Sequence, residues 1–124
     1  MTELKAELEA LKAGMWKKQY FVMLRTVADA SRMPDALLEH YRWIIELEKA
    51  NKVFASGPLS DRSDKPGVGM TVFRADSWEE AEALAAGDPF VQSGAVRFEV
   101  QRWQINEGRI NVALDFSDQT FSAS

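Results

Sequence analysis

The chain contains a single histidine, His40, and imidazole is the side chain best suited to take and return a proton near neutral pH. On a predicted helix, His40 lies at the margin of an apolar stripe centred on Tyr41, with Ile44 one turn and Leu47 two turns further on. Such a position lies between core and water. It fits either a packing residue or a proton-transfer residue.

Asp88, in the motif Gly87-Asp88-Pro89-Phe90, is the second candidate. An aspartate before a proline at the end of a helix is common as a simple turn residue. If Asp88 faces His40, its carboxylate would bond one imidazole nitrogen, fix the tautomer and leave the other nitrogen ready to accept a proton. The two residues would then act as a general base and its orienting group.

Basic and aromatic side chains give a weaker signal for a binding site. An arginine near His40 would clamp an anionic substrate, although most arginines at strand ends are solvated. Aromatic residues would line a pocket for an aromatic ligand, although core packing is the default for each of them. The candidates are Arg25, Arg97 and Arg102, and the tryptophans Trp16, Trp43, Trp78 and Trp103 with the phenylalanines.

Composition excludes several classes of function. A chain without cysteine has no disulfide, thiolate zinc site, iron–sulfur cluster or thiol nucleophile, and it fits a reducing cytoplasm. A net charge of −4 argues against a nucleic-acid partner, and no segment has the pattern of a signal peptide or a membrane span. Phosphate-binding glycine loops, dinucleotide fingerprints and calcium-loop spacings are also absent from the sequence. We expect a protein without cofactor or metal that acts on a small molecule.

The first half of the chain contains the helix that carries His40. The spacing of three leucines predicts an amphipathic helix over residues 1 to 14, and the apolar run 19 to 25 predicts a central strand covered on both faces. A long helix then begins at Pro34 and ends near Asn51. Its predicted apolar face consists of Leu37, Leu38, Tyr41, Ile44 and Ile45.

The second half of the chain contains Asp88. Residues 52 to 58 and 68 to 74 predict a hairpin around a polar loop at 60 to 67. Ser77 and Glu80 form the pattern of a capping box, in which each side chain satisfies a free backbone donor near the other, and this helix ends at Gly87. Residues 95 to 104 and 108 to 116 alternate as strands do, and residues 117 to 124 are predicted to be a polar tail.

This order of elements predicts an α+β fold, a ferredoxin-like βαββαβ sandwich with both helices on one face of an open sheet. The other face of the sheet is apolar. A second subunit would cover it, so we expect a homodimer whose sheets pack face to face.

Three motifs in this order carry a resemblance to a known family: the helix 39 to 47 with its histidine, the strand end 53 to 58, and the loop 88 to 94. Over residues 19 to 104 the chain resembles the YciI-like (YCII-related) family, which is similar to muconolactone isomerases and includes a dehydrochlorinase of a chlorinated hydroxyhydroquinone. The resemblance implies a dimeric α/β barrel. Residues 1 to 18 would be an N-terminal helical addition and residues 105 to 124 a C-terminal extension.

The resemblance also implies roles for particular residues. His40 and Asp88 match the family's active-site pair, and Gly57, Pro58 and Phe90 match positions near the cleft. Arg97 is added as a further substrate-binding candidate. These matches imply a small cofactor-free lyase or isomerase that moves a proton on a small cyclic or aromatic-derived acid.

Two other hypotheses remain open at the level of sequence. One is a non-catalytic small-molecule-binding or accessory module of the same fold. The other is a purely structural pair, in which Asp88 satisfies His40 inside a dimer and no pocket lies beside them.

Overall fold

The computed structural model describes residues 2–64 and 66–123. Met1 of the predicted first helix, Lys65 of the predicted polar loop and Ser124 of the predicted tail lie outside the described residues. The chain divides into two units: residues 19–104 form one, and the segments up to Lys18 and from Ile105 form the other. Among the helices of the described ranges, none is long and apolar enough to cross a bilayer.

Helices and strands alternate along the chain, and the predicted α+β class is confirmed. A short turn of 3-10 helix, Ala30–Arg32, precedes the long helix. In chain order the elements are α1 (Thr2–Ala13), β1 (Lys18–Val27), α2 (Met33–Lys49), β2 (Val53–Ser60), β3 (Pro66–Phe73), α3 (Trp78–Ala86), α4 (Pro89–Gln92), β4 (Val96–Ile105), β5 (Val112–Asp115) and β6 (Thr120–Ala123).

Four strands form one sheet in the order β2-β3-β1-β4. β1 is antiparallel to β3, with Arg25 opposite Gly69, and β3 is antiparallel to β2, with Gly69 opposite Pro58. These three residues therefore lie in one row across the sheet. The residues from Tyr20 to Met23 are all buried, as predicted for a strand covered on both faces.

Helices α2 and α3 pack on the same face of the sheet. Met23 of β1, Phe73 of β3 and Ala85 of α3 form one buried cluster, and Trp43 and Leu47 of α2 pack against it. Because successive residues of a strand point to opposite faces, this cluster identifies the helix-covered face as the one that carries Met23 and Arg25.

The predicted apolar face of α2 was wrong in its orientation. Leu37, Leu38, Tyr41 and Ile45 are between 41% and 59% exposed. The face that packs on the domain instead carries Ala36, His40, Trp43 and Leu47, at the spacing i, i+4, i+7 and i+11. Periodicity located the helix, but two adjacent apolar stripes share it, and a helical period alone does not decide which of them faces the sheet.

Two caps hold the segment that precedes Asp88. Ser77 Oγ accepts from the Glu80 backbone N–H at 3.1 Å, which is the predicted half of the capping box. The Glu80 carboxylate accepts from the backbone N–H of Asp76 at 2.9 Å, one residue earlier than a reciprocal box requires. Its other oxygen pairs with Lys52 Nζ at 2.9 Å, so Glu80 also ties α3 to the start of β2.

The second unit combines the two ends of the chain. α1 has no buried residue, and the backbone N–H of Trp16 donates to the carbonyl of Asn106 at 3.1 Å. The predicted strand 108 to 116 shortens to β5, and the predicted tail was wrong, since β6 pairs with β5. Asp118 accounts for this hairpin, because its carboxylate accepts from the backbone N–H and hydroxyl of Thr120, and Gln119 takes the left-handed conformation.

Candidate active site

Asp88 begins a helix that the sequence did not reveal. The predicted helix-end turn continues into α4, in which Pro89 occupies the first position and Asp88 is the N-cap. Asp88 Oδ1 accepts from the backbone N–H of Phe90 at 2.9 Å. The Asp88 side chain is fully buried, and this cap fixes the direction in which its carboxylate points.

The structure brings His40 and Asp88 together across 48 residues of sequence. His40 Nδ1 lies 2.7 Å from Asp88 Oδ1, and the His40 side chain keeps 12% of its surface exposed. The imidazole stacks on the Phe90 ring with centroids 4.1 Å apart and planes inclined by 15°. The site therefore holds the ring of His40 by one hydrogen bond in its plane and one aromatic contact on its face.

The contact with Asp88 assigns the tautomer of the neutral histidine. A carboxylate is only an acceptor, so the proton of the imidazole resides on Nδ1 and the lone pair on Nε2. Within the described residues, Nε2 of His40 has no hydrogen-bond partner. Nε2 is thus the nitrogen available to a ligand.

Asp88 also binds Arg25, on its other oxygen. Arg25 Nε donates to Asp88 Oδ2 at 2.6 Å, and the Arg25 side chain is 6% exposed. Burial alone would raise the pKa of Asp88, but the His40 hydrogen bond, the Arg25 charge and hydrogen bond, and the Phe90 N–H together hold that pKa below its ordinary value. Asp88 is therefore a carboxylate at neutral pH.

A cavity of about 580 Å³ opens beside these groups. Its walls come from the four strands β1 to β4 and from α2 and α4, and they are mostly apolar. The lining residues include four of the candidate site residues, His40, Gly57, Pro58 and Phe90, together with Arg25, Tyr41, Ile44, Phe54, Ser56 and Gly69. A volume of this size suits a small ring compound.

Arg97 and Arg102 lie outside this cavity. Val96 lines it, so Arg97, the next residue of β4, points to the other face of the strand and is exposed. Arg102 lies over the rings of Phe21 and Trp78, at 5.5 and 5.4 Å. The candidate substrate contact at Arg97 is therefore not made from this cavity.

Arg25, the first of the three arginine candidates, lines the cavity. The signal in the sequence was a charge inside a strand predicted to be covered on both faces, because a buried guanidinium needs a buried partner. None of the four tryptophans lines the cavity, which uses Tyr41, Phe54 and Phe90 as its aromatic residues. Within the described residues, no group of three metal-ligating side chains comes together.

The fold and this site define an α+β domain of a known class. Residues 19–104 match the YCII-related domain, so the chain belongs to the YCII-related family and the resemblance is confirmed. YjpA, an uncharacterized protein of Bacillus subtilis (strain 168), is 26% identical over 88 residues, which are 71% of this chain and 99% of YjpA.

A solved structure shares the fold. It is the 5-chloro-2-hydroxyhydroquinone dehydrochlorinase of Burkholderia phenoliruptrix in complex with 2,5-dihydroxybenzoquinone, and it aligns with a TM-score of 0.56 at 24% sequence identity. The alignment covers 68% of this chain and 92% of the dehydrochlorinase.

Proposed function

We propose that the protein is a cofactor-free enzyme, a lyase or isomerase, in which His40 moves a proton on a small cyclic or aromatic-derived acid. The observation that carries this proposal is the 2.7 Å contact of His40 Nδ1 with buried Asp88, at the wall of a cavity whose volume suits a small ring. A histidine whose second nitrogen is bound by a carboxylate has the arrangement that general bases use.

The chemistry follows from the two nitrogens of His40. Nε2 takes a proton from a C–H next to a carbonyl, or from a ring hydroxyl, and the electron pair left behind enters the conjugated system as an enolate. Asp88 stabilises the imidazolium that forms, because its charge lies against the Nδ1 proton. Returning the proton to another carbon gives an isomer. If a leaving group departs with its electron pair instead, His40 releases the proton and the net reaction is an elimination.

The apolar lining of the cavity favours this reaction. Ile44, Phe54 and Phe90 present an apolar surface beside the imidazole, and charge interactions across an apolar site are stronger than in bulk solvent. The named activity of the structural neighbour, removal of chloride from a hydroxylated ring, is a reaction of the proposed class.

Turnover with matched variants tests the proposal. Candidate substrates are 5-chloro-2-hydroxyhydroquinone and unsaturated ring lactones and acids, followed by absorbance and by deuterium uptake in heavy water. His40→Ala and Asp88→Asn should lose about 10²–10⁴-fold in rate. Glu39→Gln, the exposed neighbour on α2, should keep the wild-type rate.

Two outcomes of the same assay would contradict the proposed function. Equal turnover by wild type and by folded His40→Ala would remove the assignment of His40 as the base. Saturable binding of ring compounds with no conversion and no deuterium uptake would favour a binding module over an enzyme.

We propose also that residues 19–104 form a ferredoxin-like sandwich and that two copies pair through their sheets. The strand order β2-β3-β1-β4, with α2 and α3 on one face, supports the first part. The second part rests on the family resemblance, which implies that two such subunits pair through their sheets. Light scattering should report twice the mass of one chain, whereas a monomer at assay concentration would contradict the pairing.

A further inference from the structure

Arg25 has more hydrogen-bonding capacity than the protein uses. Its guanidinium carries donors on three nitrogens, and only Nε is engaged, by Asp88 Oδ2 at 2.6 Å. Nη2 is wholly buried and has no hydrogen-bond partner within the described residues. Nη1 likewise makes no hydrogen bond to any described residue.

Leaving the Nη donors of Arg25 without a partner costs free energy unless another group accepts hydrogen bonds from them. An unsatisfied buried donor loses the hydrogen bonds it would make to water, and the loss is larger for a charged group. Asp88 compensates only part of the Arg25 charge, because the same carboxylate also faces His40. Trp43 lies on the other side, with its ring centre 6.0 Å from Arg25 Cζ, and offers no acceptor atom.

The unbonded edge of Arg25 lies at the cavity. Gly69 is directly opposite Arg25 in the sheet, and a Cβ on Gly69 would lie 3.5 Å from Arg25 Nη1. Arg25 and Gly69 both line the cavity, as does Pro58, the next residue of the same row. The glycine leaves room for the arginine side chain beside it, with Nη1 next to this part of the wall.

Arg25 and His40 also lie close to each other, because both bind Asp88. They bind the two oxygens of one carboxylate, at 2.6 and 2.7 Å, so Asp88 sets the spacing between them. Among the described residues, Glu48 is the one acidic residue that lines the cavity, and its side chain is 60% exposed beside Lys49. Arg25 is therefore the charged side chain that the buried part of the cavity wall presents next to the proposed base.

We propose that Arg25 is the anion-binding and specificity-determining residue of this cavity, and that its ligands carry an ionised oxygen, a carboxylate or an enolate. This inference rests on the proposed function for its catalytic meaning, since the anion would be held while His40 reaches a neighbouring proton. A guanidinium donates well to a planar oxyanion, because its fork of N–H groups matches two adjacent oxygens. Neutral rings of the same size fill the apolar cavity but do not compensate the charge of the guanidinium.

Binding of a matched pair of small rings tests this proposal without turnover. Benzoate and benzamide differ in charge and hardly in shape, and their dissociation constants are measured by NMR titration of the wild-type protein. Benzoate should bind about tenfold more tightly or better, since a hydrogen bond to a charged group is worth about one decade or more. Equal affinities for the two rings would overturn the proposal.

Variants locate the preference on Arg25. Arg25→Gln should abolish it, and Arg25→Lys should lose most of it, because an ammonium can pair with Asp88 but has no fork for the ligand. Arg97→Gln, an arginine outside the cavity, should keep it. Folding of each variant is checked by thermal melting; if Arg25→Gln does not fold, Arg25→Lys decides, and an unchanged preference in it would contradict the proposal.

The two proposals fail separately. An anion preference that depends on Arg25, without any turnover that depends on His40, would keep this inference and remove the enzyme. Turnover that depends on His40, with no preference for benzoate over benzamide, would keep the enzyme and remove this inference.

Discussion

The imidazole of His40 lies almost parallel to the ring of Phe90, with centroids 4.1 Å apart. The backbone N–H of Phe90 also donates to the carboxylate of Asp88, which is the hydrogen-bond partner of His40 Nδ1. One residue therefore positions the histidine by its side chain and the aspartate by its backbone.

Replacing Phe90 with leucine separates these two roles. The backbone cap remains, the aromatic face is lost, and we expect a fall in the free energy of unfolding of about 1 kcal/mol, because volume is nearly conserved. The imidazole then has more freedom to rotate, so kcat should fall more than substrate affinity does. Phe116→Leu, at a side chain that is 88% exposed, is the control. Unchanged kcat in folded Phe90→Leu would mean that the stack does not position His40.

Asp88→Asn should be strongly destabilising. The amide cannot compensate the buried charge of Arg25, and removing one partner of a buried ion pair costs about 3–5 kcal/mol. Urea denaturation measures the loss. The exposed pair of Asp29 with Arg32 provides the comparison, and Asp29→Asn should have a much smaller effect. Similar midpoints for the two variants would show that Arg25 does not depend on Asp88.

Acid should remove the contribution of Asp88 to stability. The pKa of Asp88 is lowered from its ordinary 3.8: burial raises it, but His40, Arg25 and the Phe90 N–H outweigh burial. The folded state therefore binds this proton less readily than the unfolded state does. The stabilisation is complete above about pH 5 and is lost as the pH falls through 3.8 towards the lower folded pKa.

Urea midpoints between pH 3 and 7 measure this effect, in wild type and in Asp88→Asn. The difference between the two proteins should shrink as the solution is acidified over this range, in line with linkage. A difference that grows towards low pH would contradict the direction of the shift.

Two leucines of α2 test the orientation of that helix. Leu47 packs against the cluster of Met23 and Phe73, whereas Leu38 is 59% exposed. Leu47→Ala should cost about 2 kcal/mol of unfolding free energy and Leu38→Ala less than about 0.5 kcal/mol. Thermal or urea unfolding of the two variants measures both values. The reverse order would restore the face predicted from periodicity.

The sequence was sufficient for β1 to β4 and for α2 and α3, because strand alternation, the Ser77 cap and the Pro34 start are local signals. It was also sufficient to nominate His40 and Asp88. Their contact was not derivable from spacing, since it joins residues 48 positions apart through the packing of α2 on α4.

The sequence did not determine those features for which two alternative structures have similar support. α2 has two apolar stripes, and only the contacts of Trp43 and Leu47 decide which one packs inward. α4 is a helix of four residues, too short for periodicity, and it exists because Asp88 caps it. Which arginine reaches the cavity, Arg25 or Arg97, likewise depends on the face of the strand on which each one lies. A shift of one residue in register moves a side chain to the opposite face.

The N-cap that Asp88 makes at α4 determines when the site is assembled. The carboxylate that holds the imidazole and the guanidinium also holds the first turn of α4, so local opening of this turn releases all three bonds together. Fraying of α4 would therefore silence the site without global unfolding. Hydrogen exchange at the Phe90 amide would report the fraction of time during which the site is assembled.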